Sequence, residues 1–454
     1  MSIIKQQSAE NQLPNEIKSA FKELHIQRHL RNAGITKNFG FTCAYLFQLV
    51  FCLVFQHRNW FQLLESKYAD QYPAKDTVYR FLNHPRFAWR RFLTLFSSDV
   101  IDKTRALTSK QRVRVFIVDD SMFERNRSKA VELLARFKDH ARNCYYKGFR
   151  MLTLGWSDGH TFIPFDFSLL SSNSSQLQGI RSDIDKRTCG YKRRMEALQS
   201  APSIIPAMID RALEAGVMAS YVLMDSWFTY SPLIKAITER NLDVIGMVKD
   251  TSQRYQVGNK RLQLKELYKI ATPVANKGAG ILRVICTHMV HGVAVKIIFV
   301  ENRNRKGEWL AILSTDCRLS ETEILQIYGM RWDIETFFKC TKSLLRLQKE
   351  FQGRSYDLLV SHTTIVFARY ILLSWQHRQH TDDRSLGGLF LEMCDEVGML
   401  DWAVALQQLL SLLNDAVKKV AKSARKFIQS QLQQWLAGLP SYIKVYLPKL
   451  ACES

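Results

Sequence analysis

Two β-branched, apolar runs that each end on an acid and a serine constrain this chain more than any other feature. Val113-Arg-Val-Phe-Ile-Val-Asp-Asp-Ser121 predicts a strand with carboxylates at its C-terminal end, and Tyr221-Val-Leu-Met-Asp-Ser-Trp-Phe228 repeats the theme. Between them, residues 146–156 and 161–168 flank the turn Ser157-Asp-Gly-His160, which predicts a hairpin. The first strand and the hairpin make three consecutive strands. Residues 204–215 follow as an amphipathic helix closed by Gly216. Ser231-Pro-Leu-Ile opens another helix with Pro in its first turn, and residues 243–249 form a further strand. This order predicts an α/β sheet with acids at strand ends, where sites gather in such sheets.

The formal charge is +22 and 46% of residues are apolar, so the chain has both a large core and a preference for a polyanionic partner such as nucleic acid. Nine cysteines stand singly with no C-x-x-C pair, which excludes a zinc or disulfide framework and fits a reducing cytoplasm. The first residues lack a secretory apolar core. The apolar run 41–55 is too short to span a bilayer and is expected as a buried helix. No membrane partner is expected.

Residues 1–105 read as helical, beginning at Leu13-Pro-Asn-Glu-Ile. Asp76 is the expected N-cap of a helix presenting Thr77, Arg80 and Asn83, either the reading element of a helix-turn-helix or half of a helical hairpin. Arg86, Arg90 and Arg91 around Trp89 suit either phosphate contact or a solvated rim. Residues 171–200 carry Arg181, Lys186, Arg187, Lys192, Arg193 and Arg194 among few apolar residues. That predicts a mobile basic loop, ordering against a polyanion or simply solvated. Residues 280–287, 293–300 and 309–314 are short strands within a β-rich stretch. An apolar helix over 356–376 precedes a Leu- and Lys-rich helical tail. In that tail Leu406, Leu409, Leu410, Leu412 and Leu413 near Lys418, Lys419 and Lys422 serve either core packing or a contact between copies.

Tyr328-Gly-Met-Arg-Trp-Asp-Ile-Glu-Thr-Phe-Phe-Lys-Cys-Thr-Lys342 reads as one helical stretch, and the capping box Ser320-Glu-Thr-Glu323 starts the helix. At about 100° per residue, Tyr328, Arg331, Glu335, Lys339 and Lys342 share one face, with Trp332 beside them. Ile327, Met330, Ile334, Phe337, Phe338 and Leu345 fill the other. A lone carboxylate among three cations suits a bound metal beside a bound polyanion, the acid holding the metal and the cations the phosphates.

The spacing Tyr-x2-Arg-x3-Glu-x6-Lys resembles the signature of the DDE transposases of bacterial insertion sequences. The resemblance is to the branch of insertion-sequence-4 type elements and Tn-five-like enzymes, and it covers residues 110–375. It implies a ribonuclease-H-like catalytic core interrupted by a β-rich insertion, with helical N-terminal and C-terminal regions. The corresponding bounds are a helical DNA-binding region (1–105), the first part of the core (106–250), the insertion (251–318), the second part with the signature helix (319–376) and a helical C-terminal region (377–454). Three carboxylates on two strands and a helix, Asp120, Asp225 and Glu335, are then the catalytic metal ligands. They suffice for two Mg²⁺ ions, with Mn²⁺ substituting, and such a pair serves in-line phosphodiester chemistry.

Adjacent strand residues face opposite sides, so one of Asp119 and Asp120 reaches the metals. The family pattern places the acid directly before Ser or Thr, as Asp225-Ser226 does, which selects Asp120. The resemblance further implies that Tyr328, Arg331, Lys339 and Lys342 hold phosphates near the cut. Trp332, or Trp309 in the insertion, would stack on a displaced base. The expected partners are double-stranded DNA, as the element's terminal inverted repeats and as target, and a second copy in the DNA-bound complex. The expected location is the bacterial cytoplasm, at the nucleoid. A ribonuclease-H-like nuclease without strand transfer and a catalytically silent DNA-binding derivative are the alternatives. The Tyr/Arg/Lys stripe disfavours the first, and the intact acids the second.

Overall fold

The structure, a computed structural model, describes residues 15–66, 69, 72–109, 111–139, 143–274, 280–290, 292–379, 385–417 and 422–438. Helices come first: α1 (Asn15–Glu23), α2 (Ile26–Asn32), α3 (Cys43–Cys52), α4 (Trp60–Leu64), α5 (Lys75–Leu82) and α6 (Trp89–Ala106). Strands β1 (Val115–Glu124), β2 (Ala135–Asp139), β3 (Cys144–Ser157) and β4 (Phe162–Leu170) follow. Next come α7 (Cys189–Ala197), α8 (Ala201–Glu214), β5 (Tyr221–Met224), α9 (Ser231–Thr238) and β6 (Asp243–Val248). The β-rich stretch holds β7 (Tyr255–Val257), β8 (Lys260–Leu262), α10 (Leu264–Ile270), β9 (Thr272–Pro273), β10 (Ile281–Met289), β11 (Ala294–Glu301) and β12 (Trp309–Ser314). Helices α11 (Glu321–Gly329), α12 (Trp332–Ser343), α13 (Tyr356–Gln379), α14 (Leu386–Val417) and α15 (Lys422–Gly438) close the described chain.

Strand β4 pairs with β3 and β3 with β1, both antiparallel; β1 runs parallel to β5, and β5 parallel to β6. The spatial order β4-β3-β1-β5-β6, an antiparallel meander joined to parallel strands, is the ribonuclease-H-like arrangement. The β-rich stretch does not form a separate sheet. Strand β12 pairs antiparallel with β6, and β11, β10, β7 and β8 continue outward, so one mixed sheet runs through both parts. Strand β2, which lacks a strong apolar alternation, extends β3 at the far edge.

The length of β1 corrects one expectation. Asp119 and Asp120 do not end the strand: β1 continues to Glu124, with Asp119 opposite Thr153 and Asp120 opposite Leu152. What ends there is the parallel pairing, whose last partners are Val118 and Met224. Beyond that point β1 has β3 on one side and no paired strand on the other, where Arg331, Lys342 and Gln348 reach it with side-chain hydrogen bonds to Asp119, Ser121 and Met122.

Helix α13 is the axis of the helical layer. Residues from Tyr356 to Gln376 are all buried, against β4 and helices α3, α5, α6, α7, α12 and α14. A helix buried all round shows no apolar stripe. Among the described residues it alone is long and apolar enough to cross a membrane, and the protein itself encloses it. The run around 41–55 is the buried helix α3, capped by Thr42, whose hydroxyl accepts the Tyr45 N–H at 3.2 Å.

Several local expectations change. Asp76 is not an N-cap but lies in the first turn of α5, behind Ala74, and the Asn83 side chain donates back to the Tyr79 carbonyl at 2.7 Å. Residues 189–197 of the predicted basic loop form α7, and Arg193 and Arg194 point inward. Arg194 is fully buried between Glu132 (2.7 Å) and Asp357 (2.7 Å), partners far away in sequence. In the C-terminal tail Leu410 is buried and Leu409 and Leu413 are exposed, while Lys418 and Lys419 lie outside the described residues.

Candidate active site

The expected single helix is two. α11 stops at Gly329, and the chain passes through Met330 and Arg331 before α12 begins. The junction is held by three-residue bonds, Met330 N–H to Ile327 O at 3.1 Å and Arg331 N–H to Tyr328 O at 3.0 Å. Such bonds tighten the helix into a 3₁₀ turn, and Gly329 lowers helix stability at that point. The tightened turn aims Arg331 at β1. Asp333 fixes the start of α12 by accepting the Ser157 hydroxyl at 2.6 Å.

Arg331 is the centre of the arrangement. Its Nη1 donates to Asp119 Oδ2 at 3.0 Å and its Nη2 donates to Glu335 Oε1, so one guanidinium joins strand and helix. Tyr328 is buried beneath it, with the guanidinium carbon 6.0 Å from the ring centre, rather than exposed on the polar face. Burial, with Asp225 and Asp119 nearby, pushes the Tyr328 phenol up to about 12. Lys342 Nζ donates to Ser121 Oγ at 2.6 Å, on the same strand face as Asp119. Lys339 is exposed, and Trp332, at the start of the same helix, is 64% exposed.

Asp225 follows the last residue of β5, where parallel pairing carries it alongside Asp119. Its Oδ1 accepts the N–H groups of Trp227 at 2.9 Å and Phe228 at 3.3 Å, and its carbonyl accepts the Thr229 hydroxyl at 2.7 Å. Gly246 on β6 makes room for this turn: a Cβ there would stand 2.3 Å from Thr229 Oγ1. Asp119 is affected by both surroundings. Burial, and then the charge of Asp225, push its carboxyl up to about 7 against the pull of Arg331.

Asp120 faces the other way. Its carboxylate takes a hydrogen bond from Arg150 of β3, and burial raises its pKa against that partner. Arg150 also lies 5.7 Å from the Trp227 ring, which Lys249 approaches to 5.9 Å. The Asp-Ser dyad selected Asp120, whereas the strand turns Asp119 toward the Glu335 helix. Trp309, the other stacking candidate, is engaged with Tyr268, its ring stacked at 4.9 Å.

Arg150 and Trp227 were not singled out in the sequence. Nothing in the spacing marks Arg150, which reaches the acids only through strand pairing. Trp227, an aromatic two residues beyond a strand-tip acid and 56% exposed, carried a readable signal.

Among the described residues no three His, Cys, Asp or Glu side chains stand together as a metal-holding group. Arg331 occupies the space between Asp119 and Glu335, and Arg150 that beside Asp120. The donor chemistry nevertheless fits a hard divalent cation: all-oxygen carboxylates, with the Asp119 carboxyl pushed up by burial and then by the charge of Asp225 beside it.

This fold and carboxylate set define a ribonuclease-H-like protein with an acidic site at the β1–β5 junction. Sequence-family comparison is more specific. Residues 51–268 match the model described as DDE superfamily endonuclease, and residues 204–372 match the transposase DDE domain. The first match spans Asp119, Asp120 and Asp225, and the second spans Asp225, Arg331 and Glu335. No curated protein matches the chain. Among solved structures, a piggyBac transposase synaptic complex with hairpin DNA aligns over 94% of this chain and 83% of its own. The identity is 11% and the TM-score 0.45, too loose a likeness to assign residues.

Proposed function

We propose that this protein is a DDE transposase of the insertion-sequence-4 type. It would cut DNA at its element's terminal inverted repeats and join the freed 3′-hydroxyls to target DNA. The observation that carries the reading is the meeting of Asp119 and Glu335 on one guanidinium with Asp225 alongside, and Lys342 bonded to Ser121 on the same strand face. The family matches support it.

Asp119, Asp225 and Glu335 would hold Mg²⁺, or Mn²⁺ in its place. A pair of such ions, when bound, activates the attacking water or 3′-hydroxyl and neutralises charge on the leaving oxygen. The remaining work falls to the chain itself. Arg331 and Lys342 bind phosphates of the cut strand, and Lys339 extends that contact. As Arg331 swings onto a phosphate it releases Asp119 and Glu335 together, so the acids are freed only where DNA is seated. Tyr328 packs under Arg331 and limits its travel. Exposed Trp332 offers a face to an unpaired base. We assign the first carboxylate to Asp119 and give Asp120 the task of holding Arg150 beside Trp227. Two element ends are paired by two copies of the chain.

The test uses supercoiled plasmid bearing the cognate inverted repeats, Mg²⁺, and gel analysis of excised and inserted DNA. Asp119→Asn, Asp225→Asn and Glu335→Gln are each expected to lower cleavage by about 10³-fold or more while end binding persists. Wild-type cleavage in Asp119→Asn, with loss in Asp120→Asn, returns the role to Asp120. Cleavage without joining by the wild-type protein points instead to a nuclease.

A further inference from the structure

Away from the acids, a cavity of about 630 Å³ opens between α6, α7, α8 and α13. Trp89, Arg91, Lys192, Arg193 and Arg211 lie on its wall. Asp166 of β4 is fully buried in the adjoining charge cluster and accepts Arg90 Nε at 3.1 Å and Arg211 Nε at 2.7 Å. Arg90 also donates to Glu196. Arg193 is the arginine left over. Its Nη1 stands 3.8 Å from Asp166, an ion pair without a hydrogen bond, and its guanidinium lies over the Phe167 ring at 4.8 Å.

All three Arg193 nitrogens are buried without a hydrogen-bond partner, as is Trp89 Nε1, whereas Arg211 Nη2 is taken up by Asp166 Oδ2 at 2.6 Å. On this wall, among the described residues, every such unpartnered side-chain atom is an N–H donor. The charges agree with the donors. Arg90, Arg193 and Arg211 face Asp166 and Glu196, Asp357 is taken up by Arg194, and Arg91 and Lys192 at the mouth outnumber Glu214. Buried donors remain costly unless an acceptor reaches them. Burial, and then the charge of Arg90, push Arg193 down to about 10, as expected of a cation short of counter-charge.

We propose that this cavity is a phosphate-binding site, with a tetrahedral oxyanion held by Arg193 and Trp89 and drawn in by Arg91 and Lys192. Donors converging from different helices suit an anion with acceptors in several directions, and guanidinium forks match phosphate oxygens. The phosphate belongs either to a DNA backbone or to a free phosphate compound. The site is independent of the acids at β1 and β5.

Inorganic phosphate is titrated into the full-length protein at ionic strength held constant with NaCl, by calorimetry and by melting temperature. The titration is repeated with thymidine 5′-monophosphate and with a short duplex lacking the terminal repeats. Saturable phosphate binding is expected, weakened about tenfold or more in Arg193→Met. Because that substitution also removes packing, Arg91→Glu at the exposed mouth is the second variant. It is expected to weaken phosphate several-fold with no change in melting in phosphate-free buffer. If the duplex competes with phosphate and loses affinity in both variants, the source is DNA. If the monophosphate competes and duplex affinity is unchanged, the source is a free phosphate compound. Absence of saturable binding, or equal binding by wild type and both variants, overturns the site. So does phosphate binding that survives in both but disappears in Lys342→Ala.

Discussion

Carboxylates meet arginine in two regions of this molecule with opposite consequences. Around Glu350, burial alone would raise the pKa, but one acid has two hydrogen-bonding partners, the Arg369 guanidinium at 2.6 and 3.1 Å and the His362 ring at 2.7 Å. The net effect holds Glu350 below the usual range. Arg369 in turn donates to the carbonyls of Phe51 at 2.9 Å and Leu345 at 3.3 Å, tying α13 to α3 and to the segment after α12. At the β1–β5 junction the ratio is reversed. Arg331 serves Asp119 and Glu335 at once while Asp225 stands by, and Asp119 is pushed up to about 7. A saturated acid is a strut. An acid in excess of its donors leaves capacity for a cation, and that separates the candidate site from the rest of the buried charge.

The contrast is broken most forcefully at the strut. Glu350→Gln leaves Arg369 charged and buried without its counter-charge, and is expected to cost about 3–5 kcal/mol, measured by urea unfolding. Stability equal to wild type would show that the Glu350 cluster carries no more than the site does. The same group sets the acid limb of stability. A carboxylate with a lowered folded pKa contributes above its unfolded pKa and loses that contribution as pH falls through the folded value. Glu132 and Asp166 act with the same sign, so unfolding free energy should fall below about pH 4, with a shallower fall in Glu350→Gln.

A smaller effect sharpens the other side. Arg331→Ala removes the cation competing for Asp119 and Glu335, so Mn²⁺ should bind the DNA-free protein about fivefold more tightly, read by calorimetry. Unchanged or weaker Mn²⁺ binding would mean that Arg331 does not hold the acids in check. The smallest effect is at exposed Lys339. Lys339→Ala should weaken duplex binding at all sequences and lower the slope of log affinity against log salt by about one. An unaltered slope removes Lys339 from the phosphate contacts.

Much of the core was legible because its signals are local. The runs before Asp120 and Asp225 and the turn Ser157-Asp-Gly-His160 specify strands and a hairpin through β-branching and turn chemistry alone. The capping box at Ser320 and Glu323 forms as written, Ser320 accepting the Glu323 N–H at 3.3 Å. Basic residues misled where their partners were remote. Arg193 and Arg194 look like a solvated run until Glu132, Asp166 and Asp357 arrive from other elements. The choice between Asp119 and Asp120 was equally nonlocal, since the dyad with serine and the direction of the strand pleat point to different residues.

The polypeptide by itself determined the apolar runs of β1 and β5 with acids at their ends and the large positive charge, since periodicity and composition act between neighbours. Only tertiary structure decided which face of β1 meets α12, that Arg331 lies across two carboxylates, and that the cluster around Asp166 is buried with a guanidinium to spare. Those outcomes depend on strand register and on desolvation at contacts between residues tens to hundreds of positions apart, and no local pattern encodes the distance between such groups.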